Sequence, residues 1–197
     1  MTATLGRSNS AESEVNLDAC RADGISVVRR CSGGGTVVLG PGCLAYTLVL
    51  PLNANLRGAG ISSVTQMLMA RMANALNPVL PDVVPRGTSD LAAADQKFSG
   101  NAQRWLANAF LHHGTILYQF DLPRIGRYLR TPSRQPDYRS GREHDQFVRN
   151  VSFSRDTLKS LITTAWHATP TVCDLQVVER AKLLAESKYA DIHWSVS

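Results

Sequence analysis

Three consecutive glycines, Gly33–Gly35, are the feature that most restricts how this chain can fold. They closely follow two arginines, Arg29 and Arg30, at the end of an apolar segment. Without Cβ atoms, this stretch of backbone can adopt positive φ angles and lie directly against a ligand. Its amide groups can then converge on anionic oxygens, while a guanidinium supplies a fixed positive charge. The pattern predicts a strand that enters a tight, anion-binding loop.

A triple glycine alone is more often a flexible turn, so its context decides the interpretation. Two further blocks follow it, Lys-Phe-Ser-Gly-Asn-Ala at positions 97–102 and His-His-Gly-Thr at positions 112–115. Lys97 is also the only lysine before Lys159 in a chain with 21 basic residues. A compact ammonium at this point fits a site that has no room for a planar guanidinium.

The bulk composition predicts one globular domain over residues 1–197. A chain of 197 residues with 44% hydrophobic content can bury one real core, and 19% charged residues argue against disorder. No apolar run approaches the roughly 20 residues that span a bilayer. The first 16 residues lack the apolar segment of a secretory signal. We therefore expect a cytoplasmic protein with no membrane contact.

The net charge of +5 points to an acidic partner, either nucleotide phosphates or an acidic protein domain. The basic residues are not interleaved with aromatic residues, so nucleic acid is not an expected partner. No cysteine pair has a metal-binding spacing, and no histidine stands at a zinc-finger distance from a cysteine. We expect free thiols and no metal site made by protein ligands alone.

The hydrophobic pattern predicts an α/β (α+β) fold, a mixed sheet flanked by helices. Apolar spacing predicts a helix over 61–76, and Asp121, Ser154 and Asp174 are predicted helix N-caps. The polar segment 131–148 is predicted to be an ordered surface loop. The strands are predicted over 25–30, 36–39, 44–50, 90–93, 96–98 and 110–120, with a Gly-Pro-Gly turn at 40–42.

The three blocks together resemble the lipoate–protein ligase A family. Segments 135–139 and 148–150 are also similar to it, and the likeness covers nearly the whole chain. The family belongs to the biotin/lipoate ligase superfamily, whose catalytic fold is shared with class II aminoacyl-tRNA synthetases. The resemblance implies ATP-dependent conversion of lipoate or octanoate to acyl-AMP, and transfer of the acyl group to a lysine of a lipoyl carrier domain.

The resemblance also implies roles for individual residues. Lys97 is expected to be catalytic, between the phosphate and the acyl carbonyl, where an ammonium attracts both developing negative charges. Nucleotide or adenylate binding is assigned to Arg30, Gly33, Gly34, Gly35, Thr36, Val37, Val38 and Lys97. Acyl-substrate binding is assigned to Arg29, Ser32, Lys97, Ser99, Gly100 and His113. ATP and Mg²⁺ are the implied cofactors.

Several assignments have a second interpretation. Ser99 and Gly100 either contact substrate or shape the turn that directs Lys97, and Asp90 either supports a site group or caps a turn. His112 and His113 are adjacent, so on a strand only one of them can face a cleft. A satisfied core histidine is the alternative for either.

The chain departs from the family pattern at both ends. In the family, a helix and a strand precede the segment that corresponds to the start of this sequence. Met1 lies almost at that segment, so we expect an N-terminally shortened domain. The larger ligases of the family carry a C-terminal accessory domain, for which this sequence ends too soon at Ser197, so we expect either a separate accessory polypeptide or a protein that does not form the adenylate. The expected acceptors are lipoyl carrier domains of 2-oxoacid dehydrogenase complexes or the glycine cleavage H protein.

Two other functions remain open at this point. An ATP-independent octanoyl or lipoyl transferase would need an activated cysteine, for which Cys31 and Cys43 are the candidates near the glycine loop. A truncated, non-catalytic domain that binds lipoate or a lipoyl domain is the other. No cysteine occurs in segment 83–96, where relatives of the transferase type place theirs, so the ligase is favoured.

Overall fold

The computed structural model describes residues 1–132, 135–191 and 194. Within these residues, eight strands form two sheets: β1 (Thr2–Leu5), β2 (Ser26–Arg29), β3 (Val37–Leu39), β4 (Cys43–Pro51), β5 (Val84–Arg86), β6 (Asp90–Ala93), β7 (Gln96–Trp105) and β8 (Ala109–Leu117). The first sheet has the order β2-β1-β3, with β1 parallel to β2 and antiparallel to β3. The second sheet is antiparallel, in the order β4-β8-β7-β6-β5.

Helices pack against both sheets, which confirms the predicted fold class. They are α1 (Ala11–Glu14), α2 (Leu17–Ala22), α3 (Ala54–Leu76), α4 (Pro123–Tyr128), α5 (His144–Phe147), α6 (Arg155–Ala165) and α7 (Leu175–Glu186), with a 3₁₀ turn at Asp137–Arg139. The pair α2 and α4 contacts the first sheet, while α3 packs on α6 and on the second sheet. None of these described helices combines the length and apolarity that a membrane crossing requires.

The long helix α3 buries most of the apolar face that its sequence predicts, although Ile61, the first predicted residue of that face, is 57% exposed. Val64, Leu68 and Met72 are at most 2% exposed. Gly60 has φ 78° and ψ 163°, so the regular helix restarts after it, at the predicted position. A positive φ at this point is accessible because glycine has no Cβ atom. Met69 and Met72 of this helix pack in the core, whereas Met67 is 52% exposed.

The predicted turn at 40–42 joins strands of two different sheets. β3 belongs to the first sheet and β4 to the second, so the chain crosses between the layers here. Gly42 has φ +84°, and a Cβ atom on it would lie 2.1 Å from the carbonyl oxygen of Gln119. Only glycine fits this crossing, because both the backbone angle and the close approach exclude a side chain.

The structure confirms two of the three helix N-caps that the sequence predicts. The side chains of Ser154 and Asp174 accept hydrogen bonds from backbone amides at the starts of α6 and α7. The Asp121 prediction was wrong: Leu122 is the N-cap of α4, and the Asp121 carboxylate instead binds Arg124 at 2.7 Å. Segment 131–148 is more than a surface loop. It carries the 3₁₀ turn and α5, and it buries Arg139 and Phe147.

Candidate functional site

A cavity of about 680 Å³ is bordered by strands of both sheets and by the segment that leads into α5. The glycine-rich block, the lysine block and the histidine block all contribute to its walls. The structure thus brings together segments that are far apart in the chain. The predicted site residues in its lining are Arg30, Gly34, Gly35, Thr36, Val37, Val38, Asp90, Lys97, Ser99, Gly100 and His113.

Lys97 reaches this cavity because β7 contains a bulge. Ser99 pairs with Leu91 of β6. The next residue of β6, Ala92, pairs with Lys97, which leaves Phe98 as an extra residue. In a regular strand Lys97 and Ser99 would share a face, since side chains alternate. The extra residue shifts this alternation by one position. Phe98 consequently packs in the core, and the lysine side chain lies on the cavity side.

The Lys97 ammonium forms an ion pair in the cavity wall. Its Nζ lies 2.7 Å from Oδ1 of Asp90, and these side chains are 27% and 13% exposed. The Tyr138 hydroxyl donates to the other carboxylate oxygen over 2.8 Å. Gly100 lies under the ammonium, where a Cβ atom would be 3.0 Å from both Cε and Nζ of the lysine. Asp90 therefore holds the lysine in place, and Gly100 leaves the room for it.

Arg30 braces the glycine loop while it lines the cavity. Its guanidinium donates to the carbonyls of Gly33 and Gly35, each over 2.7 Å, and to that of Thr4 over 3.2 Å. Burial lowers the pKa of Arg30 to about 10, so the group is still charged at neutral pH. One side chain thus fixes the loop and supplies a positive charge at the cavity.

Three residues predicted to bind ligand lie outside the described cavity lining. Arg29 is 5% exposed, and its Nη1 donates to the carbonyls of Gly6, Arg7 and Asn9 at 3.0, 3.1 and 2.6 Å. Arg30 directly follows the last residue of β2 and points to the other side, since adjacent residues of extended backbone face opposite sides. Arg29 is a structural clamp for the chain that follows β1. The other two residues outside the lining are Ser32 and Gly33.

The two adjacent histidines point to opposite sides of β8, as predicted. His113 lines the cavity, and its Nε2 lies 2.5 Å from the Ser32 hydroxyl. Burial, followed by the positive charge of Arg30, lowers the pKa of His113. His112 is fully buried on the other face, where burial lowers its pKa to about 4. His112 is the satisfied core histidine, and His113 is the one available to a ligand.

The segment between α4 and α5 supplies cavity residues that the sequence reasoning missed. Tyr138 binds Asp90, while Arg139 and Phe147 line the cavity, with the guanidinium carbon 5.0 Å from the ring centroid. Burial lowers the pKa of Arg139. The sequence likeness of segments 135–139 and 148–150 was the available signal. That likeness did not lead to a role for any residue, because the sequence of a long polar segment does not distinguish a cavity wall from a surface loop.

The described residues contain no group of three or more histidine, cysteine, aspartate or glutamate side chains that could hold a metal ion. Both oxygens of Asp90 are already engaged, by Lys97 and Tyr138. Neither Cys31 nor Cys43 belongs to the described lining of the cavity, and burial raises the pKa of the Cys43 thiol. The site therefore offers positive charge and loop backbone rather than a metal cage or a thiolate.

Comparison with known proteins identifies the family. The model of the "Lipoyl protein ligase A/B catalytic domain" family matches residues 1–165. A probable lipoate-protein ligase A of Mycoplasma genitalium is 31% identical over 65% of this chain and 37% of its own length. Lipoate–protein ligase 1 of Plasmodium falciparum is 33% identical over 66% of this chain and 29% of its own length. The chain thus spans about a third of each of these relatives.

Solved structures show the same fold. The bipartite lipoate protein ligase of Thermoplasma acidophilum, studied with its E2 lipoyl domain, superposes with a TM-score of 0.84 at 24% identity, over 99% of this chain and 80% of that one. A lipoate-protein ligase A bound with ATP gives 0.85 at 23% identity, over 99% and 81%. The sequence blocks, the fold and the match over residues 1–165 agree, and the chain belongs to the lipoyl protein ligase A/B catalytic-domain family.

Proposed function

We propose that this protein is a lipoate–protein ligase whose residues 1–197 act as one catalytic domain. It uses ATP to convert lipoate or octanoate to acyl-AMP, and it transfers the acyl group to a lysine of a carrier domain. The observation that carries the proposal is the position of the Lys97–Asp90 ion pair in the same cavity as the glycine loop that Arg30 braces. The curated relatives named as lipoate–protein ligases support it.

The chemistry requires positive charge at two successive steps. The acyl carboxylate attacks the α-phosphorus of ATP, and the bond to the departing pyrophosphate breaks. The acceptor amine then attacks the acyl carbonyl, loses a proton and displaces AMP. Lys97 is proposed to stabilise the negative charge that develops at each step, because a fixed ammonium in a partly dry cavity costs no reorganisation. Arg30 and the loop of Gly34 and Gly35 are proposed to bind the phosphate of the adenylate.

The residues that line the cavity suit ATP better than a metal ion held by protein side chains alone. Arg30 and Lys97 offer positive charge to phosphate oxygens, whereas the described acidic side chains form no cation cage. We therefore propose that Mg²⁺ arrives with the nucleotide and is held by its phosphates. The apolar part of the lining, which includes Leu117, is proposed to receive the acyl chain.

The proposed acceptor is a lipoyl carrier domain of a 2-oxoacid dehydrogenase complex, or the glycine cleavage H protein. The Thermoplasma ligase studied with its E2 lipoyl domain supports the first of these. That ligase is also bipartite, which supports a separate accessory polypeptide for adenylation here. The proposed location is the cytoplasm, where ATP is available.

An acyl-transfer assay with an apo lipoyl domain, followed by intact mass, tests the proposal. One arm contains ATP, Mg²⁺, free lipoate or octanoate, and the accessory polypeptide proposed for adenylation. The other contains an acylated carrier protein and no nucleotide. We expect the acceptor to gain mass only in the ATP arm, and Lys97→Ala to abolish the gain. Cys31→Ser and Cys43→Ser are the controls, and both should retain activity.

The other outcomes select other functions. A gain of mass only in the nucleotide-free arm, lost on replacement of Cys31 or Cys43, would establish a thioester transferase. Binding of lipoate without acyl-AMP formation, also when an accessory polypeptide is supplied, would indicate a non-catalytic binding domain. The position of these cysteines outside the described cavity lining favours the ligase over the transferase.

A further inference from the structure

A continuous chain of hydrogen bonds crosses the second sheet on the face that packs against the helices. It runs through Trp105, Gln103, His112, Tyr46 and Asn101, which lie on three neighbouring strands. Gln103 of β7 is directly opposite His112 of β8. The side chains of this hydrogen-bond chain therefore point to the opposite side of the sheet from His113, and Tyr46 and Asn101 also border the cavity.

Trp105, at one end of the chain, determines which group donates and which accepts in each of the hydrogen bonds that follow. An indole nitrogen can only donate, and Trp105 Nε1 lies 2.8 Å from Gln103 Oε1. The Gln103 amide nitrogen therefore faces His112 and donates to its Nδ1 over 3.2 Å. Burial lowers the pKa of His112 to about 4, so the ring is neutral near pH 7. Its single proton must consequently reside on Nε2.

The same direction continues from His112 to Asn101. His112 Nε2 lies 3.3 Å from the Tyr46 hydroxyl and donates to it. The Tyr46 hydroxyl then donates its own proton to Asn101 Oδ1 over 2.5 Å. The carboxamide lies where a side chain on residue 114 would be, since a Cβ atom on Gly114 would be 1.6 Å from this oxygen. Asn101 is thereby fixed in one orientation.

The chain ends at the segment that carries the partner of the lysine. Asn101 Nδ2 donates to the Ser89 carbonyl over 2.8 Å, and the Ser89 hydroxyl donates back to the Asn101 carbonyl over 2.5 Å. Asp90 follows directly and forms the ion pair with Lys97. The backbone that carries the carboxylate is therefore held by Asn101, while Tyr138 holds the carboxylate itself.

We propose that Tyr46 and His112 are positioning residues, which act through Asn101 on the Ser89–Asp90 segment and so fix the place of Lys97. The hydrogen bonds are continuous only when the neutral His112 ring carries its proton on Nε2 and the Asn101 carboxamide keeps its one orientation. Loss of the Tyr46 hydroxyl leaves Asn101 Oδ1 without its hydrogen-bond donor and frees the Ser89–Asp90 segment to shift. This inference rests on the proposed function only where a reaction rate is measured.

Nitrogen-15 NMR of the histidine rings tests the hydrogen-bond chain without any substrate. We expect His112 in the wild-type protein to be the neutral tautomer with its proton on Nε2. Detection of the Nδ1-protonated tautomer would overturn the proposal. Tyr46→Phe should change the His112 ring resonances. The control is Tyr118→Phe, because Tyr118 packs on the same core and its hydroxyl has no hydrogen bond to a described residue.

The side-chain ammonium resonance of Lys97, assigned with Lys97→Arg, tests the positioning itself. Tyr46→Phe is expected to shift this resonance, and Tyr118→Phe is expected to leave it in place. An unchanged Lys97 resonance in Tyr46→Phe would mean that the chain serves the core only. Because neither spectrum needs turnover, the positioning role is decided even if the wild-type protein makes no acyl-AMP.

The rate of acyl-AMP formation provides the functional test. Tyr46→Phe should lower kcat about tenfold and leave the KM for ATP within about twofold, because the misplaced group acts on the reaction rather than on binding. Tyr118→Phe should keep both parameters. In an Asn101→Ala background, Tyr46→Phe should cost nothing further, since both changes break the same link. Independent, multiplying losses would contradict the proposal.

Discussion

Replacement of Gly100 by alanine should displace the Lys97 side chain without changing the fold of the protein. A Cβ atom at position 100 would be 3.0 Å from both Cε and Nζ of Lys97, and ordinary contacts begin at 3.4 Å. The ammonium must therefore move by at least about 0.4 Å. Because the obstructed atoms are at the free end of a flexible side chain, the backbone has no reason to move. We expect the free energy of unfolding to change by less than about 1 kcal/mol.

The expected catalytic cost is much larger than the cost in stability. The ion pair between Lys97 and Asp90 has a length of 2.7 Å, so a displacement of this size lengthens or breaks it. A misplacement of about 1 Å can cost about 100-fold in rate, so we expect kcat for acyl-AMP formation to fall by about 10- to 100-fold. This corresponds to about 1.4–2.7 kcal/mol of transition-state stabilisation.

The assay compares two glycine variants. Acyl-AMP formation is followed with saturating ATP and lipoate, and stability is followed by urea unfolding. The matched control is Gly58→Ala in α3, where a Cβ atom meets nothing within 4 Å. It should keep the wild-type rate. A Gly100→Ala protein that is folded and fully active would refute the argument that Lys97 must occupy its observed position.

Three further predictions follow from the same contacts. Arg29→Met should lower the free energy of unfolding by about 2–4 kcal/mol in urea, because it leaves three backbone carbonyls without their charged donor. His112 has a folded-state pKa of about 4 against an ordinary 6.5, so the unfolded chain binds the extra proton and stability falls as the pH drops through this window. The loss approaches about 3 kcal/mol, and His112→Asn should flatten that part of the pH profile measured by urea unfolding. Arg30→Lys should raise the KM for ATP at least about tenfold, since one ammonium cannot hold the carbonyls of Gly33 and Gly35 together; an unchanged KM would show that the loop keeps its shape without the guanidinium.

The sequence was most informative where a local rule applies. The apolar spacing of α3 and the caps Ser154 and Asp174 depend on neighbouring residues only, and the structure confirms them. The glycine, lysine and histidine blocks were recognisable because they resemble a known family, and the family match over residues 1–165 confirms that resemblance. The pairing of the strands into two sheets depends on distant contacts, so the strands β3 and β4, adjacent in sequence, gave no sign that they belong to different layers.

The residues that sequence reasoning assigned less well depend on the same long-range information. Arg29 and Arg30 look equivalent in sequence, and only the side to which each points at the end of β2 separates a structural clamp from a cavity residue. Tyr138 lies 48 positions from Asp90, and the hydrogen bond between them exists only after the chain folds back. Neither relation has a local signature.

The bulge at Phe98 determines which side chains of β7 face the cavity. Along β7, the side that each residue faces depends on whether the number of residues before it is odd or even. Deletion of one residue there would restore regular alternation, turn the Lys97 ammonium towards the apolar core and expose different side chains to the cavity. Substitutions near this point should therefore be tolerated far better than insertions or deletions of a single residue. A design that places an equivalent lysine on another sheet must therefore include the β-bulge as well.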